Sequence, residues 1–494
     1  MGLALSLLQG GILLAYMVFT VVKAVLPRSF KAPRVGHTTL AVTVLSAAHV
    51  MGLPFFLDKL NQAHAYGQLK SVDLRSGCND DFLHSCQGAQ VVYRASSVLF
   101  LYFVLMATAG GAVHYVYANL WPFKFLAVAG GVGGMLFLPD PALFGVYAEV
   151  ARVLSLGWML FQGFLVLDFA HDVHDAIGAK AEEQDSISGS SSSIFSSWWR
   201  ILYLVLSCAC LAATGVGLAT LFTGHVGCTL GASLAGITLA VGVVTTVLSL
   251  VESVGIGLLP PSILFAHSTF LCWYAMSSHP DQACNPYAAD DVPSASGKGV
   301  GVVISLAILV ATVAWITWHG EKVLELFGVE GEESISLLSA SGRHNINNGD
   351  TAEGGDGEDV IESRPSRVFF CAAMASASCF AAMAMTSWAR TDGSFPQTYK
   401  RRPPGRAARP FFVHQALHCW RAHHERAPSQ FLAVIYLLVF PLSARSPESI
   451  GTAITPLESV WLKVASQWVC LLLQMRVLWV TYRENKESSS YRSF

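Results

Sequence analysis

Long apolar stretches follow one another along this chain with only short polar breaks between them, at residues 2–22, 37–56, 96–117, 121–138, 143–167, 199–222, 230–250, 258–277, 300–318, 368–388 and 460–480. Most are close to the length a membrane demands. A hydrocarbon core of about 30 Å needs about 20 helical residues rising 1.5 Å each. Backbone amides and carbonyls cannot go unpaired in hydrocarbon, so such segments are helices or strands of a closed barrel. Continuously apolar runs exclude barrel strands, which alternate apolar and polar positions. The predicted fold class is therefore all-α, a polytopic integral membrane protein with about ten or eleven transmembrane helices.

The first stretch lacks the basic start of a secretory signal and is followed by Lys23, Arg28, Lys31 and Arg34. It reads as an uncleaved helix whose amino end is outside and whose carboxyl end is cytosolic. Met1-Gly2 also fits a myristoylation pattern, but Gly2 opens an apolar helix with its amino end outside, which opposes that use. Alternation from this start makes residues 172–198 a Ser-rich cytosolic linker and 319–367 a polar, disordered cytosolic loop within one membrane domain, 1–494. Short loops then obey the positive-inside rule. Residues 391–455 do not: this non-cytosolic connection carries Lys400, Arg401, Arg402, Arg406, Arg409, Arg421 and Arg426. Loops longer than about 60 residues cross largely regardless of charge, so the topology stands. Within it, 431–442 is apolar but too short to span and reads as interfacial or re-entrant. A lineage insertion and retained intron sequence both fit this segment.

Composition agrees with the pattern. The chain is 53% hydrophobic and 13% charged with a net charge of −2, so neither nucleic acid nor a strongly basic partner is implied. Lipid is the implied partner, and mean hydropathy is +0.48. Of 11 cysteines, Cys78, Cys86, Cys228, Cys284 and Cys419 fall in expected non-cytosolic loops, where thiols oxidise. Cys78 and Cys86 are near enough for a local bridge, and Cys228 with Cys284 is a second candidate pair. Free or metal-binding thiols are the alternative, although no CxxC spacing supports zinc. No Asn-x-Ser/Thr acceptor is present.

Chemistry-bearing constellations are sparse. No Ser/His/Asp, paired-carboxylate or phosphate-loop pattern has a plausible context, and the glycines at 297–301 precede a span instead of joining a strand to a helix. Neither an enzyme nor a cofactor is indicated. Asp168, His171, Asp172 and Asp175 share a helical face at metal-ligand spacing, but a solvated cytosolic helix end explains them more simply, as does an intramembrane salt bridge or headgroup contact. The polar residues inside or beside spans are Lys124, Glu149, Arg152, Gln162, Glu252, His267, Lys463 and Arg476. Each must pair, face a wet cavity or snorkel to the interface. Glu149 and Arg152 can pair on their own helix. Lys124 and Lys463 either snorkel or point inward, where they would attract a lipid phosphate or carboxylate. Gly130, Gly131, Gly133 and Gly134 form a small-residue patch with GxxxG spacing at Gly130 and Gly134, which predicts close helix packing.

Several short motifs occur together in order: Val92-Tyr93-Arg94, Trp121-Pro122-Phe123-Lys124-Phe125-Leu126, Leu138-Pro139-Asp140, Asp168-Phe169-Ala170-His171, Gly257-Leu258-Leu259, the run from Ala275-Met276-Ser277-Ser278-His279 to Cys284-Asn285-Pro286, and Trp461-Leu462-Lys463 through Gln467 to Cys470. Together they resemble the serine incorporator (Serinc, or TMS/TDE) family over nearly the whole chain, apart from the Ser-rich tract, the polar cytosolic loop and the basic segment. The resemblance implies two helical bundles divided by a long diagonal helix, with lipid in membrane-facing grooves. It also implies transbilayer lipid movement, support of serine incorporation into phosphatidylserine and sphingolipids, or both. Lys124, Gln162, Asp168, His171 and Lys463 fall on matching family positions and are the implied lipid-binding or internal polar network. Cys78 and Cys86 match the family's first non-cytosolic cysteine pair. The family's Cys-rich amino-terminal stretch is here a plain apolar helix, which removes support for a Cys-dependent role there. Expected partners are membrane phospholipids and lipid-biosynthetic enzymes, in an endomembrane or the plasma membrane. A scaffold without its own activity and a small-solute transporter are the competing readings; the second expects internal repeats, and none is clear.

Overall fold

In the computed structural model the described residues are 33–53, 56–58, 61–62, 83–110, 113–138, 141–188, 198–224, 228–251, 254–279, 284–285, 295–326, 363–386, 388 and 456–491. Every regular element among them is helical: α1 (Pro33–Met51), α2 (Leu83–Leu105) continued by a π-helical turn (Met106–Gly110), α3 (His114–Ala118), α4 (Trp121–Leu136), α5 (Pro141–Ser188), α6 (Trp198–Gly224), α7 (Thr229–Ser249), α8 (Leu259–Met276), α9 (Ala295–Leu326), α10 (Arg364–Met385) and α11 (Pro456–Tyr491). Seven helical stretches among the described residues are long and apolar enough to cross a membrane: Cys86–Ala109, Val146–Gln184, Trp198–Gly224, Thr229–Ser249, Val300–Leu324, Arg364–Met385 and Val460–Lys486. The protein is an all-α, multi-pass membrane protein. Helices α1, α4 and α8 form where spans are expected, but α4 has only 16 residues, about 24 Å of helix. The stretches at 2–22 and 391–455 lie outside the described residues.

Boundaries differ from the sequence expectation where polar side chains find partners. Helix α2 begins well before residue 96 because its polar amino-terminal half is satisfied: Gln87 and Asn61 exchange amide bonds of 3.1 and 3.0 Å, and Arg94 Nη1 donates to the Leu136 carbonyl at 3.0 Å. Helix α5 runs 48 residues, so the linker expected from residue 172 is helical as far as Ser188. This extension is rich in good helix formers, Ala176, Lys180, Ala181, Glu182, Glu183 and Gln184. It also buries Ile177 and Ala181. Beside α6, Lys180 lies 5.1 Å over the Trp199 ring, and the His174 and Tyr203 rings are 5.5 Å apart. Likewise the polar loop expected from 319 begins as helix, which is described as far as Leu326. The change of direction comes at His319 (φ −111°, ψ 17°), whose ring stacks 3.8 Å from Trp315.

The chain divides into two compact units, with boundaries inside α5, at Val153/Leu154, and inside α9, at Thr312/Val313. In the first, α1, α4 and α10 pack on α2. Its expected cytosolic end is gathered by Arg34, which donates to Ser366 Oγ at 2.5 Å, lies 5.8 Å over Phe370 and comes within 3.8 Å of Glu321. In the second, α6, α7 and α11 pack on α8.

Inside a bilayer, helix association depends on close van der Waals contact, so small residues matter where backbones meet side chains. Gly242 on α7 lies flat against the Phe265 ring of α8, and Gly163 on α5 against Cys470 of α11. Within the glycine patch of α4, the contact among the described residues falls on Gly131. A Cβ at Gly130 or Gly134 meets nothing within 4 Å among the described residues, whereas one at Gly131 lies 3.0 Å from Val98 of α2. Gly130 and Gly134 sit on the open side of α4. Gly242→Ala should accordingly destabilise the protein by about 1–3 kcal/mol through overpacking against Phe265, while Gly130→Ala leaves it unchanged or slightly more stable. Thermal unfolding of both variants in the same detergent checks the contrast.

Candidate functional site

The first unit places its polar centre at a break in the helical run. After the π-helical turn, α3 lasts only 5 residues, and Leu120 takes the left-handed conformation (φ 64°) before Pro122 restarts the chain as α4. A helix so short leaves carbonyls without amide donors. The Tyr117 carbonyl is met by two side chains, His37 Nε2 at 3.1 Å and Lys124 Nζ at 2.6 Å. A carbonyl only accepts, so Nε2 carries the His37 proton. Nδ1 of the neutral ring then accepts from the Tyr102 hydroxyl at 2.8 Å. The imidazole stacks on Tyr117 with centroids 4.7 Å apart and lies 4.9 Å from Trp121. Trp121 in turn carries the Lys124 ammonium 4.3 Å from its centroid, an attraction that strengthens away from water.

Lys124 is 5% exposed, while its neighbours Phe123 and Leu126 are 69% and 71% exposed. The cation thus lies under an apolar outer surface and turns inward instead of snorkelling. Among the described residues no carboxylate pairs with it; its partners are one carbonyl and one ring.

In the second unit Lys463 is fully buried on α11. Its ammonium binds Ser278 Oγ and lies 3.9 Å over the Tyr274 ring, at the carboxyl end of α8, where a cation complements the helix dipole. The turn that follows is tied down by Asn285, whose amide donates to the carbonyls of Ser277 (2.8 Å) and His279 (3.1 Å). A disulfide joins Cys284 to Cys228, with Cα atoms 4.8 Å apart. Cys228 Sγ caps the start of α7 by accepting from Gly231 N at 3.4 Å. One turn further along α11, Gln467 Nε2 donates to Thr238 Oγ1 of α7.

The sequence-derived residues are divided between the two units. Lys124 belongs to the first unit; Gln162, Asp168, His171 and Lys463 belong to the second. Gln162 Nε2 donates to Thr312 Oγ1 at 3.3 Å, a different partner from those of Lys463. Asp168 and His171 are half-buried on α5. Among the described residues no group of three His, Cys, Asp or Glu side chains is placed to hold a metal ion, so the spacing from Asp168 to Asp175 remains a face of one helix. Glu149 and Arg152 form an ion pair on α5. Cys86 is disulfide-bonded, and Cys78 and Cys419 lie outside the described residues; the six cysteines within helices, Cys208, Cys210, Cys272, Cys371, Cys379 and Cys470, form no disulfide. Sequence reasoning missed His37, Tyr102 and Tyr117. Their one available signal was a histidine at the head of an apolar stretch that had to find partners.

Residues 12–407 match the serine incorporator (Serinc) family. The chain belongs to that family. Helix α11, with Lys463, lies beyond the matched residues. The Serinc chain is 27% identical to serine incorporator 2 of Bos taurus over 41% of its own length and 46% of that protein. With serine incorporator 2 of Homo sapiens it shares 29% identity over 34% of this chain and 37% of the relative. It thus spans less than half of both relatives. A probable serine incorporator of Dictyostelium discoideum is 22% identical over 61% of this chain and 73% of that protein.

The histidine bridge carries its own expectation. His37→Phe keeps the stacked ring but removes both bonds and strands the Tyr102 hydroxyl, which should cost about 1–3 kcal/mol. In a thermal-unfolding double-mutant cycle with Tyr102→Phe, the double variant should lose clearly less than the two singles added together.

Proposed function

We propose that this Serinc-family protein handles phospholipids by easing the transbilayer movement of their headgroups, with no covalent step, and that Lys124 is the cation that receives the headgroup phosphate or carboxylate. One observation carries the reading: a buried ammonium with no carboxylate partner among the described residues, lying beneath exposed apolar side chains of a short, interrupted helical run. A cation in hydrocarbon is costly unless it is compensated. Here the protein supplies a carbonyl and an indole face and leaves the place of an anion to a ligand. A charged headgroup entering the hydrocarbon meets the same cost, and a fixed cation lowers it without rearranging. Gln162, Asp168, His171 and Lys463 are the proposed polar groups of the second unit. The relatives are named serine incorporators; supporting serine incorporation into phosphatidylserine and sphingolipids is the downstream use proposed for the same lipid handling, in partnership with biosynthetic enzymes of an endomembrane or the plasma membrane. The linker at 172–198, the loop at 319–367 and the basic segment at 391–455 are proposed as appendages to one membrane domain.

The test is exchange of fluorescent phosphatidylserine and phosphatidylcholine between leaflets of liposomes holding the purified full chain. Lys124→Ala should slow exchange about tenfold, a change of about 1.4 kcal/mol in the barrier, and Lys124→Arg should retain most of it. Equal rates for folded Lys124→Ala and the parent would remove Lys124 from the path. Rates no faster than protein-free liposomes, in folded protein, would favour a scaffold without its own activity.

A further inference from the structure

Helices α8 and α11 run antiparallel. Lys463 near the start of α11 meets Tyr274 and Ser278 at the end of α8, and Asn485 near the end of α11 donates to the Val254 carbonyl, just before α8, at 3.1 Å. These contacts fix both register and facing stripes. His267 lies 7 residues before Tyr274 and 11 before Ser278, spacings that return to nearly the same azimuth of a helix. Gln474 lies 11 residues after Lys463 and shares its azimuth in the same way. His267 and Gln474 therefore occupy the facing stripes, and the register sets them within about one helical turn of each other along the axis.

Both are buried, His267 at 6% exposure and Gln474 at 3%, and among the described residues three of their polar atoms have no hydrogen-bond partner: the imidazole Nε2 of His267 and both the Nε2 and Oε1 of Gln474. Farther along the same stripe of α11, fully buried Gln467 uses its amide nitrogen on Thr238 but leaves its Oε1 without a partner. A buried amide with neither donor nor acceptor engaged is strongly unfavourable. These side chains cannot relieve it by turning to lipid, since lipid offers no hydrogen bond. A small species that donates and accepts at once satisfies all of them, and water is the smallest such species. Buried waters typically occupy such places, holding two to four bonds to polar groups that have no other partner.

We propose that the α8–α11 interface holds bound water between His267 and Gln474, making a hydrated polar site inside the membrane-spanning part of the second unit. Water there joins the two helices by exchangeable bonds where an apolar core would interlock, so this contact is the most readily loosened around α8. The site is independent of Lys124 and of the lipid-handling proposal.

The test is hydroxyl-radical footprinting of the full chain in lipid nanodiscs made up in oxygen-18 water. A bound water generates the radical where it sits, so buried His267 should take up label many-fold faster than Phe380, which is 2% exposed on α10 in the first unit. In Gln474→Leu, with His267 kept as the reporter, labelling at 267 should fall several-fold. The double variant His267→Phe, Gln474→Leu should unfold at the parent's temperature or above it, because it removes the groups that need water. Labelling of His267 no faster than Phe380 in the parent protein overturns the proposal, as does labelling that persists undiminished in folded Gln474→Leu. Should the double variant fail to fold, the comparison within the parent protein decides.

Discussion

In hydrocarbon a polar group has no solvent partner, and the arrangement of this protein follows from how each helix meets that condition. A continuous helix satisfies its own backbone, so long apolar runs need nothing more. Wherever the helix is interrupted, side chains must serve the freed carbonyls. At the break after α2, the Tyr117 carbonyl collects His37 and Lys124; at the end of α8, Ser277 and His279 are served by Asn285. Lys124, which looks anomalous in the sequence, answers one of those interruptions.

Expectation and structure agree where apolar length alone decides the outcome, as at α6, α7 and α10. They part where a polar side chain is satisfied by a partner remote in sequence. Gln87 and Arg94 read as loop residues because their partners, Asn61 and the Leu136 carbonyl, cannot be inferred from local pattern. The extension of α5 past residue 172 was hidden for a related reason: its helix formers are polar, and only Ile177 and Ala181 betray the buried face. For the site, residue type was legible and assembly was not. Lys124 and Lys463 stand out as ammonium groups in apolar runs, but the carbonyl that holds Lys124 is created by a chain break that no hydropathy pattern announces. The glycine patch on α4 was legible as a type of surface but not in its detail. GxxxG spacing marks a surface capable of close packing, and here it is the intervening Gly131 that meets a neighbour.

The two buried lysines look alike in sequence but are differently placed. Lys463 is enclosed at a helix end, with a hydroxyl on its ammonium and a disulfide-pinned turn beside it, so its charge is absorbed by local structure. Replacing such a group strands its partners, and any loss of activity would be hard to separate from loss of fold. Lys124 lies one side chain's depth beneath an apolar surface, held on its inner side by a carbonyl and a ring.

Under the proposed lipid handling, that difference decides which lysine a headgroup would use. An anion reaching Lys463 would have to displace hydroxyl, aromatic and helix-end contacts that together hold the ammonium, leaving their polar partners unpaired. An anion reaching Lys124 need move only exposed phenylalanine and leucine side chains that the bilayer already surrounds, and it adds the one kind of contact the described structure does not provide there. Because His37 also serves the Tyr117 carbonyl, Lys124 can shift toward a ligand without leaving that carbonyl unsatisfied. The imidazole, pinned by Tyr102 and stacked on Tyr117, thus keeps the interrupted helix intact while the lysine is engaged elsewhere, which makes the histidine a positioning residue for the site.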